Sequence, residues 1–275
     1  NRGRLCVKGS ALGETLGLQG RLLQPEIHHQ PVSWPQALDA VAQGLQATID
    51  EHGPQSVAFY GSGQLLTEDY YVANKLMKGF IGAGNMDTNS RLCMASAVVG
   101  YKRAFGADAV PCNYDDLEQA DCVILVGSNT AWAHPVVYQR LAKAKAERPE
   151  MQIIVVDPRK TATCDIADLH LALRPSSDAA LFCGALNEMA ARGKLDTAFL
   201  QHHTNGAEET LQTAKAWSLE KTADYCGIAS SQLQAFYQRI ARSQRLVTLY
   251  SMGINQSSSG VDKCNAIINL HLATG

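Results

Sequence analysis

Two runs of β-branched and other apolar residues constrain the fold more than any other feature of the sequence, namely VILV at 123–126 and IIVV at 153–156. Both have strand length, and turn residues follow each, GSN after the first and DPR after the second. A helical pattern with proline in its first turn, from Pro135 to Glu147, separates them. This alternation predicts βα units and a mostly parallel sheet that is covered on both faces.

The same alternation continues along the rest of the chain, which predicts an α/β fold. We expect further strands at 56–64, 169–173 and 246–251, and helices at 65–80, 178–191, 211–216, 231–243 and from about 261. Residues 1–34 show neither period and carry several glycines and prolines, so we expect an irregular segment there.

The composition argues against several classes of protein. The net charge is −2 and no basic run occurs, so no nucleic-acid interface is expected. The apolar runs are too short to span a membrane. Eight cysteines without a CxxC pair predict neither a zinc ribbon nor a disulfide framework, and free thiols suit a reducing compartment. The first ten residues begin without methionine and lack a signal-peptide core, so we expect a fragment of a longer protein.

The turns after the two central strands are candidate ligand contacts. Backbone N–H groups of Gly127, Ser128 and Asn129 lie before a helix, where a phosphate is favoured, although an ordinary βα turn explains them too. The usual G-x-G-x-x-G fingerprint is absent. Asp157 ends the next strand, where an acidic side chain can bind a ribose or simply begin a turn.

Two later segments are also ambiguous. Asp178 can cap a helix, or its two oxygens can accept the N–H donors of a guanine edge. The loop MGINQSSSG at 252–260 suits a polar ligand or is a plain connection. His28, His29 and His134 have no acidic or cysteine partners at ligand spacing, and we interpret them as packing or surface residues.

Together these segments resemble the molybdopterin oxidoreductases that carry bis(molybdopterin guanine dinucleotide), specifically nitrate reductases of the assimilatory and periplasmic type. The matching segments are RGRLCVKG, SGQ with NSRLCMAS, GSNTAWAHP, DPRKTATCDIAD with RPSSD, and YSMGINQSSSG continuing to NLHLATG. They occur in the family's order over nearly the whole chain.

The resemblance implies roles for four residues. Cys93 would be the thiolate that ligates molybdenum, and a soft sulfur ligand suits that metal. Met94 would shape the substrate funnel. Cys6 would be one of four cysteines that hold a [4Fe–4S] cluster. Lys8 would bridge that cluster and the pterin.

The resemblance also implies contacts to the pterin guanine dinucleotides. We expect turn amides on the diphosphate, Asp157 on a ribose and Asp178 on guanine. The implied positions are Lys8, Gln64, Asn89, Cys93, the turn 126–133 with Gly127, Ser128 and Asn129, the segment 157–161 with Asp157, Arg159 and Thr161, the segment 176–178 with Ser177 and Asp178, and Met252 and Gln256.

The implied architecture is α/β with two Rossmann-like domains of mostly parallel sheets, one inserted into the other. Residues 1–34 would be a remnant of an iron–sulfur domain. Residues 35–110 and 246–275 would form a discontinuous α/β domain, and residues 111–245 the inserted one.

The implied activity is reduction of nitrate to nitrite by oxygen-atom transfer at a molybdenum centre, with this fragment alone inactive. The alternatives are a molybdenum formate dehydrogenase of the same family, or a subunit that keeps the fold without the metal. The electron donor would be a ferredoxin, a flavodoxin or an NADH-linked reductase subunit, and we expect a cytoplasmic location, as in assimilatory reductases.

Overall fold

The computed structural model describes all 275 residues, which form two compact units. The smaller unit is Val7–Cys93, and the larger unit is Asn1–Cys6 together with Met94–Gly275. None of the helices combines the length and the apolar character that crossing a membrane requires.

The smaller unit is built around a long helix and a short pair of parallel strands. Its helices are α1 (Val7–Ser10), α2 (Trp34–His52), α3 (Thr67–Asn74) with the π-helix Lys75–Ile81 after it, and α4 (Ser90–Cys93), and its strands are β1 (Glu26–Ile27), β2 (Gln30–Pro31), β3 (Phe59–Gly61) and β4 (Met86–Thr88). Strands β1 and β2 are antiparallel, whereas β3 and β4 are parallel.

Local chemistry explains how this unit begins and packs. The Ser33 backbone N–H donates to Gln36 Oε1 at 2.9 Å, and Pro35 lies in the first turn of α2. This satisfies a group that would otherwise lack a partner at the helix start. A small core of Val57, Met77 and Ala83 lies under α2 and β3.

The larger unit holds the main sheet. Its helices are α5 (Ala95–Phe105), α6 (Tyr114–Gln119), α7 (Thr130–Ala133), α8 (Pro135–Glu147), α9 (Asp178–Ala191), α10 (Thr197–His203), α11 (Ala207–Ala214), α12 (Leu219–Cys226), α13 (Ser230–Arg242), α14 (Met252–Asn255) and α15 (Gly260–Thr274), and its strands are β5 (Cys122–Val126), β6 (Gln152–Val156), β7 (Leu169–Leu171) and β8 (Leu246–Tyr250).

The four strands form one parallel sheet in the order β7-β6-β5-β8. Every residue of β5 is buried, because one face packs on α9, α13 and α15 and the other on α8. This explains why the strand carries no polar alternation. Ile124 and Val126 face the first of these cores, and Val123 and Leu125 face the second.

The parallel α/β prediction is confirmed, including helices 178–191 and 135–147. The structure places residues 246–275 in the same compact unit as residues 94–245. The sequence predicts instead that residues 246–275 join residues 35–110 in one domain. The structure differs because β8 pairs with β5, Cys122 opposite Leu246 and Val126 opposite Tyr250. The predicted three-part division with an inserted domain stays a prediction.

Two local interpretations need correction. The predicted helix 65–80 begins at Thr67 and changes to a π-helix at Lys75. For Asp115 and Asp116 the sequence favours a solvated acidic pair on a loop, but both residues lie in α6. Asp115 pairs with Arg140 at 2.5 Å, and Asp116 accepts from the Asn113 backbone N–H at 2.8 Å. Helices α2, α5 and α12 were not anticipated.

Candidate cofactor-binding site

The turns after β5 and β8 are in backbone contact through two glycines. Gly127 has φ +53°, and a Cβ there would lie 2.8 Å from the Gly253 Cα. A Cβ on Gly253 would lie 2.6 Å from the Gly127 Cα. The Gly253 N–H donates to the Gly127 carbonyl at 3.0 Å. Only glycine fits at either position, and the main chain is left bare where a ligand can approach it.

The turn after β5 is fixed by the segment that follows β6. The Thr163 hydroxyl accepts from the Ala131 N–H and donates to Asn129 Oδ1, both at 3.1 Å. Ser128 and Thr130 are buried and their hydroxyls lie 3.0 Å apart. The N–H groups of this turn are therefore held in place before a ligand arrives, which favours anion binding.

Asp157 lies at the carboxyl end of β6 and is buried. Its Oδ1 accepts from the Arg159 N–H at 2.8 Å, and its carbonyl lies 2.9 Å from His170 Nε2. The first contact is the turn that the Asp-Pro sequence predicts, and the second carboxylate oxygen has no such partner. Close by in sequence, the Thr161 hydroxyl is buried without a hydrogen-bond partner, and a polar ligand can satisfy it.

Asp178 opens helix α9 and forms a buried ion pair. Its Oδ2 lies 2.8 Å from Lys263 Nζ, and the two residues are 7% and 2% exposed. Ser177, the residue before the helix, makes no side-chain cap to the helix, and its hydroxyl donates to the Arg174 carbonyl at 2.6 Å. Ser176 has φ +71°. Asp178 is thus a first-turn residue paired with a lysine.

The segment after β8 presents two exposed side chains beside the glycine contact. Met252 and Gln256 flank the short helix α14, whose N–H groups at Ile254 and Asn255 donate to the Ser251 carbonyl. Ile254 is fully buried and anchors the segment in the core. The main chain of this loop is thus fixed while its polar and thioether groups are exposed.

In the smaller unit, the ends of the parallel strands β3 and β4 bring three predicted residues into one region. The Gly63 N–H donates to Asn89 Oδ1, and a Cβ on Gly63 would lie 2.5 Å from Ser90 Oγ. Gln64 follows in the same turn and is exposed. The Cys93 N–H donates to the Asn89 carbonyl at 3.0 Å, and the side chain is partly exposed.

The structure does not assemble the other predicted residues in the same way. Lys8 is exposed in α1, Cys6 is partly exposed, and Met94 is 49% exposed. No group of three or more His, Cys, Asp or Glu side chains anywhere in the chain could hold a metal ion. These 275 residues therefore do not fit a four-thiolate cluster on their own.

Burial controls the ionisation of the side chains beneath the site. It raises the pKa of the Cys226 thiol, whose Sγ lies 3.6 Å from the Ser177 carbonyl. It lowers the pKa of His271 to about 4, and His271 Nε2 lies 2.8 Å from Thr248 Oγ1. Both groups are neutral near pH 7 and serve packing.

The residues of the larger unit fit a phosphate-linked nucleotide group. They supply a bare glycine turn, fixed N–H groups, a carboxylate at Asp157 and a second carboxylate at Asp178. All follow the carboxyl ends of parallel strands, where open α/β sheets bind ligands. In the smaller unit, the partly exposed Cys93 thiol is a soft donor of the kind that suits a metal whose other ligands come from a cofactor.

The sequence interpretation did not name Thr163, Gly253 or Lys263, although Thr163 and Gly253 lie in segments that it singled out. The signal for Lys263 was available, since a lysine interrupts an otherwise apolar stripe in α15. The sequence did not reveal that Asp178 is the partner of Lys263, because the two residues are far apart in the chain.

The chain matches a known protein family and several known proteins. The family model "Molybdopterin oxidoreductase" matches residues 21–275. The chain is 62% identical over 275 residues to a nitrate reductase of Klebsiella oxytoca, covering 100% of this chain and 31% of that protein. It is 48% identical to a nitrate reductase of Shewanella frigidimarina, of which it covers 30%, and 43% identical to a periplasmic nitrate reductase of Desulfovibrio desulfuricans, of which it covers 38%.

Among solved structures, acetylene hydratase from Pelobacter acetylenicus superposes with a TM-score of 0.82 at 22% identity, over 98% of this chain and 38% of that one. That likeness concerns the fold. The chain spans about a third of the length of the curated relatives named above.

Proposed function

The chain belongs to the molybdopterin oxidoreductase family, and on that premise we propose that it is the cofactor-binding part of a molybdenum-dependent nitrate reductase. The reaction is the reduction of nitrate to nitrite and water with two electrons and two protons. Two findings support nitrate as the substrate. The relatives at 62% and 48% identity are both named nitrate reductase, and both align with the whole of this chain.

The observation that supports the binding role is the carboxyl edge of the four-stranded sheet. The Gly127–Gly253 contact keeps side chains away from the main chain between β5 and α7, and the nearby Thr161 hydroxyl lacks a partner. We assign the diphosphate of a pterin dinucleotide to the Gly127 turn, a ribose to Asp157 and guanine to Asp178. Gln64, Asn89, Arg159, Ser177, Met252 and Gln256 are proposed as further contacts.

When bound, the cofactor supplies two-electron oxygen-atom transfer at molybdenum. The chain contributes binding and orientation. We assign Cys93 as the protein's thiolate ligand, because a soft sulfur donor suits the metal and the side chain is accessible. Met94, which is half exposed, would border the substrate's approach.

The finer assignments rest on the resemblance of short motifs. We propose that the cofactor is the bis(guanine dinucleotide) form, that Cys6 is one ligand of a [4Fe–4S] cluster completed outside these residues, and that Lys8 lies between cluster and pterin. We also propose an assimilatory enzyme in the cytoplasm that receives electrons from a ferredoxin, a flavodoxin or an NADH-linked subunit. A periplasmic relative makes the location the first of these to test.

Formate oxidation, the alternative that the sequence left open, has less support. The curated relatives at 62% and 48% identity are both named nitrate reductase. Direct assays of both substrates decide between the two.

The experiment measures molybdenum content and reduced-viologen-dependent nitrate reduction in the complete protein, with formate-dependent dye reduction alongside. We expect molybdenum, nitrate activity and no formate activity. Cys93→Ala should abolish nitrate reduction, whereas Cys112→Ala, which removes an exposed thiol elsewhere, should not. Active protein without molybdenum, or full activity in Cys93→Ala, would contradict the proposal.

A further inference from the structure

Lys263 is one of the largest fully buried side chains in the chain, at 2% exposure. Its helix α15 otherwise buries apolar residues on that face, including Cys264, Ile267 and Leu270. A buried ammonium is unfavourable unless it is paired, and apolar replacements of buried ion pairs are often at least as stable. Packing alone therefore gives no reason for a lysine at this position.

Helix electrostatics give no reason either. Lys263 is the fourth residue of α15, so its charge lies in the first turn, where the helix dipole disfavours a cation. Asp178, in contrast, is the first residue of α9, where the dipole favours an anion. The lysine is compensated by one carboxylate, at 2.8 Å.

The geometry leaves Asp178 with capacity to bind. Lys263 Nζ contacts Oδ2, and the structure shows no donor on Oδ1. A carboxylate has about four acceptor sites on its two oxygens. With Lys263 on one of them, the carboxylate is held in one orientation and can still accept two parallel N–H donors from a ligand.

We propose that Lys263 is a positioning residue, which orients the Asp178 carboxylate for the two-donor edge of guanine and so sets the preference for guanine over adenine. The inference rests on the proposed function, because it takes a guanine nucleotide group as the ligand. Lys263 itself acts through Asp178. An adenine edge presents an acceptor where guanine has N1–H, so a fixed carboxylate disfavours it.

The structure offers a matched control at the other end of the sheet. Lys145 Nζ lies 2.8 Å from Asp168 Oδ1, and Asp168 directly precedes β7. This pair is also partly shielded, with side chains 19% and 26% exposed. Lys145→Met therefore removes a lysine–aspartate pair without touching the proposed site.

The test titrates the complete protein, purified without cofactor, with GDP and with ADP by isothermal calorimetry. We expect the natural protein to bind GDP at least tenfold more tightly than ADP. Lys263→Met should lower GDP affinity at least tenfold and leave ADP affinity within twofold. Asp178→Asn should behave likewise, and Lys145→Met should keep the preference.

Lys263→Arg is a second variant, which tests the inference if Lys263→Met does not fold. It keeps a positive charge beside Asp178, but a guanidinium fork engages both carboxylate oxygens and competes with guanine. We expect the same loss of GDP preference. A purely structural lysine would be replaced by arginine without this loss.

Two results would overturn the inference, and only the second would also remove the guanine assignment. If both Lys263 variants keep the GDP preference while Asp178→Asn loses it, Lys263 is structural and the proposed function is unaffected. If the natural protein binds GDP and ADP equally, the guanine assignment falls and the inference with it. The proposed function would then still be decided separately by molybdenum content and nitrate reduction.

Discussion

The two ends of the four-stranded sheet are built from the same parallel strands but treat their polar groups differently. At the amino end, Asp121 accepts from the Arg245 side chain at 2.8 Å and from the Gln244 and Arg245 N–H groups. Lys145 donates to Asp168 and to the Pro149 and Met151 carbonyls. These charged groups satisfy one another within the chain, while the Ser243 hydroxyl near this end is buried without a hydrogen-bond partner.

At the carboxyl end, polar groups keep unused capacity. The Thr161 hydroxyl is buried without a partner, Lys263 contacts one oxygen of Asp178, and the Gly127–Gly253 contact exposes main chain. Open α/β sheets bind ligands at this end, so the unused capacity of Thr161 and Asp178 fits a binding region. Charged groups at the amino end are therefore paired within the chain, whereas Asp178 at the carboxyl end keeps an acceptor oxygen for a ligand.

The largest expected effect is from Lys263→Met, which leaves the Asp178 carboxylate buried without its cation. Removing one partner of a buried ion pair costs about 3–5 kcal/mol of unfolding free energy. Lys145→Met at the amino end should cost about 1 kcal/mol, because its partner is more exposed. Urea unfolding of both variants measures the difference. Equal losses would erase the proposed contrast between the two ends.

Gly127→Ala should cost about 2–4 kcal/mol, since it adds a Cβ 2.8 Å from Gly253 to the strain of a positive φ. Gly193→Ala is the control, because Gly193 has φ +65° with nothing within 4 Å of a Cβ. We expect it to lose only the strain, about 1 kcal/mol. Thermal unfolding compares them, and similar losses would mean that the glycine contact is not tight.

His271 shows how acid affects the stability of the core, apart from the two ends of the sheet. Burial lowers the pKa of His271 to about 4, so between pH 6.5 and 4 the unfolded chain takes up a proton that the folded chain does not. Stability should fall by about 2–3 kcal/mol as pH drops through that range. His271→Gln should remove this dependence in urea unfolding from pH 7 to 4. An unchanged slope would show that another group is responsible.

Asp121→Asn should have the smallest effect and act only in stronger acid. The Arg245 side chain lowers the pKa of Asp121, so its contribution is present above its ordinary value near 3.8 and is lost as pH falls through the lowered pKa. We expect less than about 1 kcal/mol, because both side chains are substantially exposed. The measurement is unfolding between pH 5 and 2. An Asp121→Asn loss comparable to that of Lys263→Met would contradict the contrast.

Much of the fold was predictable because its signals lie between near neighbours in the sequence. The apolar runs at 123–126 and 153–156 gave buried parallel strands, and the Pro135 and Asp178 segments gave helices at the predicted positions. Turn residues at strand ends also marked the positions where we propose ligand contacts. The resemblance of several short motifs identified the family.

Local sequence predicts the strands of the main sheet, several of the helices that cover it and the polar turns after the strands, since periodicity and turn chemistry act over a few residues. Only the tertiary structure decided that β8 joins β5, that Gly127 meets Gly253, and that Lys263 reaches Asp178. Those contacts depend on strand order and helix packing between distant segments. Local sequence does not encode which distant partner completes a buried charge.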